Sequence, residues 1–247
     1  MAELITKQIK KVFDGQTIIE DISIELHDKE IVSLLGVSGS GKTTLFNVIS
    51  GLLKPEEGQV FLNGKDITGE SGHISYMLQK DLLLPFRTIE DNVALPLILK
   101  GMNKKQAREK VLPYFAEFGL SGTEKKYPNQ LSGGMRQRAA FLRTYMFSNE
   151  IALLDEPFSA LDTITKSAVH RWYLSVMEDI KLSTIFITHD IDEAILLSDR
   201  IYLLTGKPGH ISDEIIITEP KPRAKDFNLT PEFLAYKKLI LQKLGQS

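Results

Sequence analysis

Apolar residues form two kinds of run along this chain, and each kind predicts a different element. Short apolar runs at 31–35 and 151–155 predict buried β-strands. Looser alternation at 4–12 and 17–26 predicts strands with one buried face, and Asp-Gly between them favours a hairpin. From about 80 to 148 the pattern becomes mostly helical. The chain therefore begins in strand-forming sequence, and strand character returns at 151 after a helical stretch.

Strands and helices alternate after the helical stretch. Apolar strands at 183–188 and 200–204 are separated by a short helical pattern at 190–197 and preceded by a longer one at 163–180. Alternation of this kind is typical of a parallel sheet with helices packed on it. A late strand is expected at 211–218.

Four further segments complete the predicted division of the chain. One amphipathic helix is predicted at 104–118 and another helix at 133–148. A linker containing Lys221, Arg223 and Lys225 is expected to be solvated, and it leads to a C-terminal helix at 231–244. That helix carries one apolar stripe, expected to pack on its own domain, composed of Phe233, Tyr236, Ile240 and Leu244.

Composition narrows the possible functions. The chain has 247 residues, 43% of them hydrophobic and 25% charged, which is ordinary for a soluble globular protein. A net charge of −2 gives no basic field that would favour nucleic acid. The absence of cysteine excludes disulfides and thiolate zinc sites. No run of 18 apolar residues occurs and the N-terminus has no signal pattern, so we expect any membrane role to come through a partner.

A glycine-rich sequence, Gly36-Val37-Ser38-Gly39-Ser40-Gly41-Lys42-Thr43, joins the strand at 31–35 to a predicted helix. Glycines let successive backbone N–H groups converge on an anion, and the helix N-terminus adds further N–H groups. Lys42 can reach the β- and γ-phosphates, and the Thr43 hydroxyl can ligate Mg²⁺. This strand–turn–helix context predicts a nucleotide phosphate-binding loop. The predicted nucleotide contacts are Gly36, Ser38, Gly39, Ser40, Gly41, Lys42, Thr43 and Thr44.

A second signal is the apolar run 151–154 followed by Asp155 and Glu156. Beside a phosphate loop, Asp155 can hold the Mg²⁺ shell together with Thr43. Glu156 can orient and deprotonate an attacking water as a general base. The alternative is a solvated acidic pair at a strand end.

A third signal lies at Leu131-Ser132-Gly133-Gly134-Met135-Arg136-Gln137-Arg138, where a hydroxyl and two glycines open a helix. Such a helix N-terminus can bind an anion, although it can also be an ordinary serine cap. One nucleotide site already has its own loop. A second γ-phosphate cradle makes sense if it serves another copy of the chain.

Taken in order, Gly36–Thr43, Leu131–Gln137, Leu153–Asp162 and His189 resemble the ATP-binding subunit of ATP-binding-cassette (ABC) transporters. The resemblance covers roughly residues 1–215. It implies an α/β fold with a P-loop NTPase core, a small N-terminal antiparallel β subdomain and an inserted α-helical subdomain. The expected division is 1–79 and 149–218 for the core with its β subdomain, 80–148 for the helical subdomain, and 219–247 for the C-terminal linker and helix.

The resemblance also implies roles for individual residues. Phe13 would stack on adenine, and Gln79 would touch Mg²⁺ or the attacking water. Ser132, Gly133 and Gly134 would close on ATP bound to a second copy, with Asp162 at the dimer seam. His189 would contact the γ-phosphate. The implied catalytic set is Glu156, His189, Lys42 and Gln79, and the implied metal set is Thr43, Gln79 and Asp155.

The implied activity is ATP hydrolysis by a homodimer that sandwiches ATP and Mg²⁺ and drives transmembrane permease subunits. A solute-binding protein would take part indirectly, and the chain would lie peripherally on the cytoplasmic face of the membrane. Apolar residues in Asp81–Arg87 are expected to help form the groove that receives the permease, unless they are buried in the helical insertion.

The cargo is less defined by the sequence. Residues 83–88, 91–93 and 208–211 look like the importer branch that serves nitrate, sulfonates, taurine and thiamine precursors, so a small anionic or heteroaromatic solute is expected. The alternative is a non-transport ABC ATPase acting on nucleic acid or the ribosome. Such proteins carry a long coiled coil or a second cassette, and neither is present in this sequence.

Overall fold

The structure is a computed structural model that describes residues 3–148, 150–159, 163–221, 223–224 and 226–245, without the side chains of 163–165. In chain order its elements are β1 (Leu4–Phe13), β2 (Gln16–Leu26), β3 (Ile31–Leu35), α1 (Lys42–Ile49), β4 (Glu57–Leu62), β5 (Lys65–Asp66), β6 (Ser75–Met77), α2 (Ile89–Leu99), α3 (Lys104–Val111), α4 (Tyr114–Glu117), α5 (Gly133–Phe147), β7 (Ile151–Asp155), α6 (Thr163–Ile180), β8 (Ser183–Thr188), α7 (Ile191–Leu197), β9 (Arg200–Thr205), β10 (His210–Ile216) and α8 (Pro231–Lys243). Short 3₁₀ turns lie at Pro128–Gln130 and Phe227–Leu229.

Two sheets form the α/β part of the molecule. An antiparallel sheet has the strand order β2-β1-β4-β5, and a second sheet has the order β10-β9-β3-β8-β7-β6. In the second sheet β3, β6, β7, β8 and β9 run parallel, and only β10 is antiparallel to its neighbour. The predicted fold class, an α/β P-loop core with a small antiparallel β subdomain and inserted helices, is confirmed.

The parallel strands read as continuous apolar runs because both of their faces are covered. Every residue of β3, β7 and β8 is buried. One core lies between the two sheets, and it includes Phe46 of α1. A second core joins the other face of the parallel sheet to the helices α2 to α6, and it includes Phe141 and Tyr173. The central strands are therefore held rigidly from two sides.

The helical stretch differs from the sequence prediction at one place. The single helix expected at 104–118 is two helices, α3 and α4, separated at Leu112 and Pro113. Proline has no backbone N–H to donate, so the helical hydrogen-bond ladder is interrupted there. Arg108 of α3 donates two hydrogen bonds to Asp91 of α2, at 2.7 and 2.9 Å, and holds the pair together.

The C-terminal helix packs on its own chain, as expected from its stripe. Phe233 and Ile240 are buried against α7, β9 and β10, and Tyr236 and Leu244 pack at the edge of that cluster.

The prediction that the linker is solvated is wrong for Lys221 and Arg223. Lys221 pairs with Asp199 at 2.7 Å, and the guanidinium of Arg223 donates to the backbone carbonyls at the end of α7. These carbonyls have no helical partner, so they attract a cation. Lys225 lies outside the described residues.

Among the residues described, no helix combines the length and the apolar character needed to cross a lipid bilayer.

The two-sided burial of the parallel strands predicts a large cost for truncating one of their side chains. Leu34 in β3 is fully buried, whereas Leu229 is 77% exposed. We expect Leu34→Ala to lower the free energy of unfolding by about 2–5 kcal/mol, because it leaves a cavity in the core. Leu229→Ala should change it by less than about 0.5 kcal/mol. Urea unfolding followed by circular dichroism measures both, and equal effects would contradict the burial described here.

Candidate functional site

The carboxyl ends of the parallel strands place the predicted motifs along one edge of the sheet. The phosphate loop follows β3, Asp155 ends β7, and His189 follows β8. Gln79 comes two residues after β6, which pairs with β7. Residues that are more than a hundred positions apart in sequence are thus neighbours, as is usual for ligand sites of parallel sheets.

The phosphate loop requires glycine at two positions for different reasons. Gly41 immediately precedes α1 with φ of 95°, and a Cβ there would lie 2.4 Å from Cγ2 of Ile19. At Gly36 a Cβ would lie 2.4 Å from the carbonyl oxygen of Leu204. The loop is therefore wedged between β2 and β9, and this contact limits how its backbone can move.

Lys42 is nearly buried at the start of α1. Its ammonium donates to the carbonyls of Gly36 and Val37, at 2.8 and 2.9 Å. Burial lowers the pKa of Lys42, and the nearby carboxylates of Glu156 and Asp155 oppose that shift. The loop thus holds a cation at its inner rim, where an anionic phosphate would be attracted.

Thr43 and Asp155 form an oxygen pair beside Lys42. The Thr43 hydroxyl donates to Oδ2 of Asp155 at 3.0 Å, and the Tyr76 hydroxyl lies 3.5 Å from the same oxygen. Burial raises the pKa of the Asp155 carboxyl, while the Thr43 hydrogen bond opposes this. Burial, together with the charge of Asp155, raises the pKa of Tyr76. Tyr76 was not predicted, because an aromatic residue in a short strand gives no sign of which acid it will face.

Glu156 connects two other predicted residues. Its Oε2 accepts from Nε2 of Gln79 at 2.9 Å, and its Oε1 lies 3.2 Å from Nδ1 of His189. The backbone of Glu156 has φ of 44°, which is uncommon for a residue with a side chain. Its N–H donates to the carbonyl of Ile187 in β8. Strained backbone held by a neighbouring strand is a feature found at functional sites.

A cleft of about 540 Å³ opens in front of these groups. It is lined by Ile18, Ser38, Gly39, Gly41, Lys42, Thr43, Thr44, Gln79, Glu156 and His189. Ile18 was missed, since its position in an alternating strand suggested only packing. Ser40 is buried beneath the loop, and Phe13 is 41% exposed at the end of β1, with the Lys11 ammonium 5.2 Å from its ring centre.

The glycine-rich helix start lies apart from that cleft. Ser132 caps α5 by accepting a hydrogen bond from the N–H of Met135 at 3.3 Å. Ser132, Gly133 and Gly134 are not among the described residues that line the cleft. Ser132 and Gly133 are exposed, whereas Gly134 is buried. Gly133 lines a neighbouring groove of about 870 Å³ together with Gln79, Glu156 and His189. Asp162 lies outside the described residues.

The site therefore combines four chemical elements: an N–H-lined anion loop, a buried cation, an oxygen pair and a carboxylate between an amide and an imidazole. Oxygen ligands at the loop suit a hard cation such as Mg²⁺, which is usually bound through a carboxylate plus substrate phosphates. A fold and site of this kind define a phosphate-loop nucleotide hydrolase.

Comparison with known proteins agrees with that class. Residues 19–159 match the family described as ABC transporter. Formylaminopyrimidine import ATP-binding protein ThiZ of Halalkalibacterium halodurans is 47% identical over 198 residues, which cover 80% of this chain and 77% of the relative. Aliphatic sulfonates import ATP-binding protein SsuB of Bacillus cereus is 38% identical over 240 residues, covering 96% of this chain and 93% of the relative.

A solved structure is also similar. It is a dimer of the ATP-binding cassette MJ0796 in a post-hydrolysis state bound to ADP and Pi, 30% identical, with a TM-score of 0.73 over 88% of this chain and all of the other. The chain described here belongs to the ABC transporter family. It is an ATP-binding protein and an ATPase.

The contact between Gly41 and Ile19 predicts how the loop responds to a methyl group. Gly41→Ala should raise the Kd for ATP by at least about tenfold, because the new Cβ displaces the loop N–H groups. Gly64→Ala is the matched control, since Gly64 also has positive φ, at 77°, but nothing lies within 4 Å of its Cβ position. Titration with a fluorescent ATP analogue measures both, and equal effects would show that general destabilisation, and not the contact with Ile19, weakens ATP binding.

Proposed function

We propose that this chain is the ATP-hydrolysing subunit of an importer and works as a homodimer with ATP held between the two copies. The observation that carries the proposal is the bridge from Gln79 through Glu156 to His189 at the mouth of the phosphate-loop cleft. The relatives named as import ATP-binding proteins support the import direction. In this proposal residues 1–79 and 149–218 form the catalytic unit, 80–148 the helical unit and 219–247 a C-terminal brace.

Hydrolysis follows from what each side chain can do. The loop N–H groups and Lys42 neutralise phosphate charge. Thr43 and Asp155 would hold Mg²⁺, which would supply positive charge against the charge that develops during hydrolysis. Glu156 accepts a proton from the attacking water. Gln79 and His189 fix the two oxygens of Glu156, and His189 is placed to donate to the γ-phosphate. Phe13 offers an exposed aromatic face for adenine.

Sharing of the site between copies explains the position of Ser132–Gly134. Ser132 and Gly133 are exposed but do not line the cleft of their own chain. In a dimer they would complete the γ-phosphate cradle of the partner, with Asp162 at the seam. The related MJ0796 cassette is dimeric with ADP and Pi, which supports the same assembly here.

A permease is the partner that fits the surface between the core and the helical unit. A groove of about 340 Å³ lies there, lined in part by Leu52, Pro96, Arg143 and Phe147. Arg143 also donates to the backbone carbonyls of Asp81 and Leu82, which fixes the segment next to the groove.

The side chains of that segment divide into buried and exposed. Leu83 is buried, whereas Leu84 is 38% and Phe86 is 93% exposed. Asn92, which is fully buried, accepts from the N–H of Leu84 at 2.6 Å and holds the turn. Exposed apolar side chains on a fixed backbone are suited to binding a permease helix. The chain would then lie on the cytoplasmic side of the membrane, with a solute-binding protein acting on the other side.

The names of the relatives support a proposal for the cargo, whereas the site does not, because no side chain of the cleft has to touch it. Formylaminopyrimidine and aliphatic sulfonates are the solutes in the relatives' names. We therefore propose a small anionic or heteroaromatic solute of this kind.

Replacing the proposed base separates binding from turnover. Glu156→Gln keeps the size of the side chain but removes the proton acceptor, so we expect ATP binding and ATP-dependent dimerisation to remain. The rate of phosphate release should fall at least about a hundredfold. Both are measured on the purified chain with Mg-ATP, by light scattering and phosphate assay. Turnover at the parent rate would rule out Glu156 as the base.

Charging the exposed leucine tests the permease surface. Leu84→Glu should abolish ATP-driven uptake in vesicles that contain the chain and its permease, because it places a carboxylate in an apolar contact. The ATPase rate of the chain alone should stay within about twofold. Leu112→Glu is the control, since Leu112 is similarly exposed, at 42%, but does not line the groove. Unimpaired uptake in Leu84→Glu would place the permease elsewhere.

A further inference from the structure

A buried carboxylate lies beside the end of β8, the strand that leads to His189. Glu193 of α7 is only 4% exposed. Its Oε1 is 2.6 Å from the ammonium of Lys166 and 3.5 Å from Nε2 of His170, both on α6. Its Oε2 accepts from the Thr188 hydroxyl at 2.7 Å. Glu193 therefore joins α6, α7 and the end of β8.

This carboxylate keeps its charge in the folded protein. Burial acts to raise its pKa, but His170, Lys166 and Thr188 outweigh burial and bring the pKa of Glu193 to about 2. A buried ion pair is a poor source of stability compared with an apolar packing of the same volume. The position of Glu193 relative to the catalytic groups is therefore a better guide to its role than its contribution to folding stability.

The network holds the residues on both sides of His189. Thr188, which precedes it, donates to Glu193 and accepts from the N–H of Asp190 at 3.0 Å. Asp190, which follows it, receives a hydrogen bond from Lys166 at 3.2 Å and caps α7 by accepting from the N–H of Asp192 and of Glu193. The His189 ring is exposed, so its position depends on the backbone that these contacts fix.

The same helix reaches the other side of the site. His170 of α6 packs edge-on against Phe158, with ring centres 4.7 Å apart. Phe158 is buried and comes two residues after Glu156. His170 therefore links the segment that carries Glu156 to Glu193, and Lys166 links Glu193 to Asp190, which follows His189.

We propose that Glu193 is a positioning residue for hydrolysis, which through Lys166 and Thr188 holds His189 at the distance from Glu156 that turnover requires. The inference rests on the proposed function, because it assigns a role relative to His189. In this role Glu193 contacts neither the nucleotide nor the attacking water. Its loss should change the rate of the chemical step and leave ATP binding unaffected.

The first test is Glu193→Gln, which retains the shape and the Thr188 contact but removes the charge that holds Lys166. We expect kcat for ATP hydrolysis to fall at least about tenfold, with the Kd for ATP within about twofold of the parent. Asp192→Asn is the matched control. Asp192 is the preceding residue on α7 and is also paired, with Lys237 at 2.7 Å, but its side chain is 46% exposed. That variant should keep the parent kcat.

A double-mutant cycle distinguishes positioning from a general structural role. If Glu193 acts through His189, then Glu193→Gln combined with His189→Ala should be no slower than His189→Ala alone. A further loss of the same size in the double variant would overturn the proposal, and so would an unchanged kcat in Glu193→Gln. Assays at 25 °C on variants whose thermal unfolding starts well above that temperature keep partial unfolding out of the rates.

A second variant covers failure of Glu193→Gln to fold. Lys166→Gln removes the other charge at a side chain that is 21% exposed, and it should give the same fall in kcat and the same non-additivity with His189→Ala. The proposed function is judged separately by Glu156→Gln. If Glu156→Gln is inactive while Glu193→Gln and Lys166→Gln turn over at the parent rate, only the positioning role fails.

Discussion

The site depends on one geometric constraint, which is that buried parallel strands of a sheet all end at the same edge. β3, β7 and β8 are buried along their whole length, with helices on one face and the antiparallel sheet on the other. The phosphate loop, the acidic pair and His189 leave these strands at neighbouring points. Their relative positions are therefore fixed by sheet register, because a slip by one residue would turn every side chain of a strand from one core into the other.

Charges that would be costly alone are placed so that they offset one another. Lys42 is buried beside Asp155 and Glu156, and Glu193 is buried beside Lys166 and His170. In the first group Lys42 and Glu156 line the cleft, where phosphate and a divalent cation can add to the charge balance. In the second group the charges balance within the protein. The first group is suited to binding and chemistry, and the second to holding backbone in place.

The sequence predicted those parts of the site whose physical basis is local. Glycines before Lys42 and an apolar run before Asp155 act within a few residues, so the strand, loop and helix could be placed without the fold. The pairing of Tyr76 with Asp155 and of Glu193 with Lys166 joins residues 79 and 27 positions apart. The hydrophobic pattern of a sequence does not indicate which distant residues will pair in this way. The prediction of a solvated linker was wrong for a related reason. The free carbonyls that bind Arg223 belong to the end of α7, which the chain brings next to Arg223 only when it folds.

In the proposed dimer one ATP is held between the phosphate loop of one copy and the Ser132 helix of another. Disulfide cross-linking shows whether these two segments meet. The chain has no cysteine, so single cysteines can be placed without background. Ser38 and Ser132 are both exposed, and differently tagged chains carrying Ser38→Cys and Ser132→Cys would be mixed under mild oxidation. We expect a disulfide-linked pair containing one chain of each kind, formed with ATP and not without it. Absence of that pair with ATP, or equal formation without ATP, would contradict a shared site.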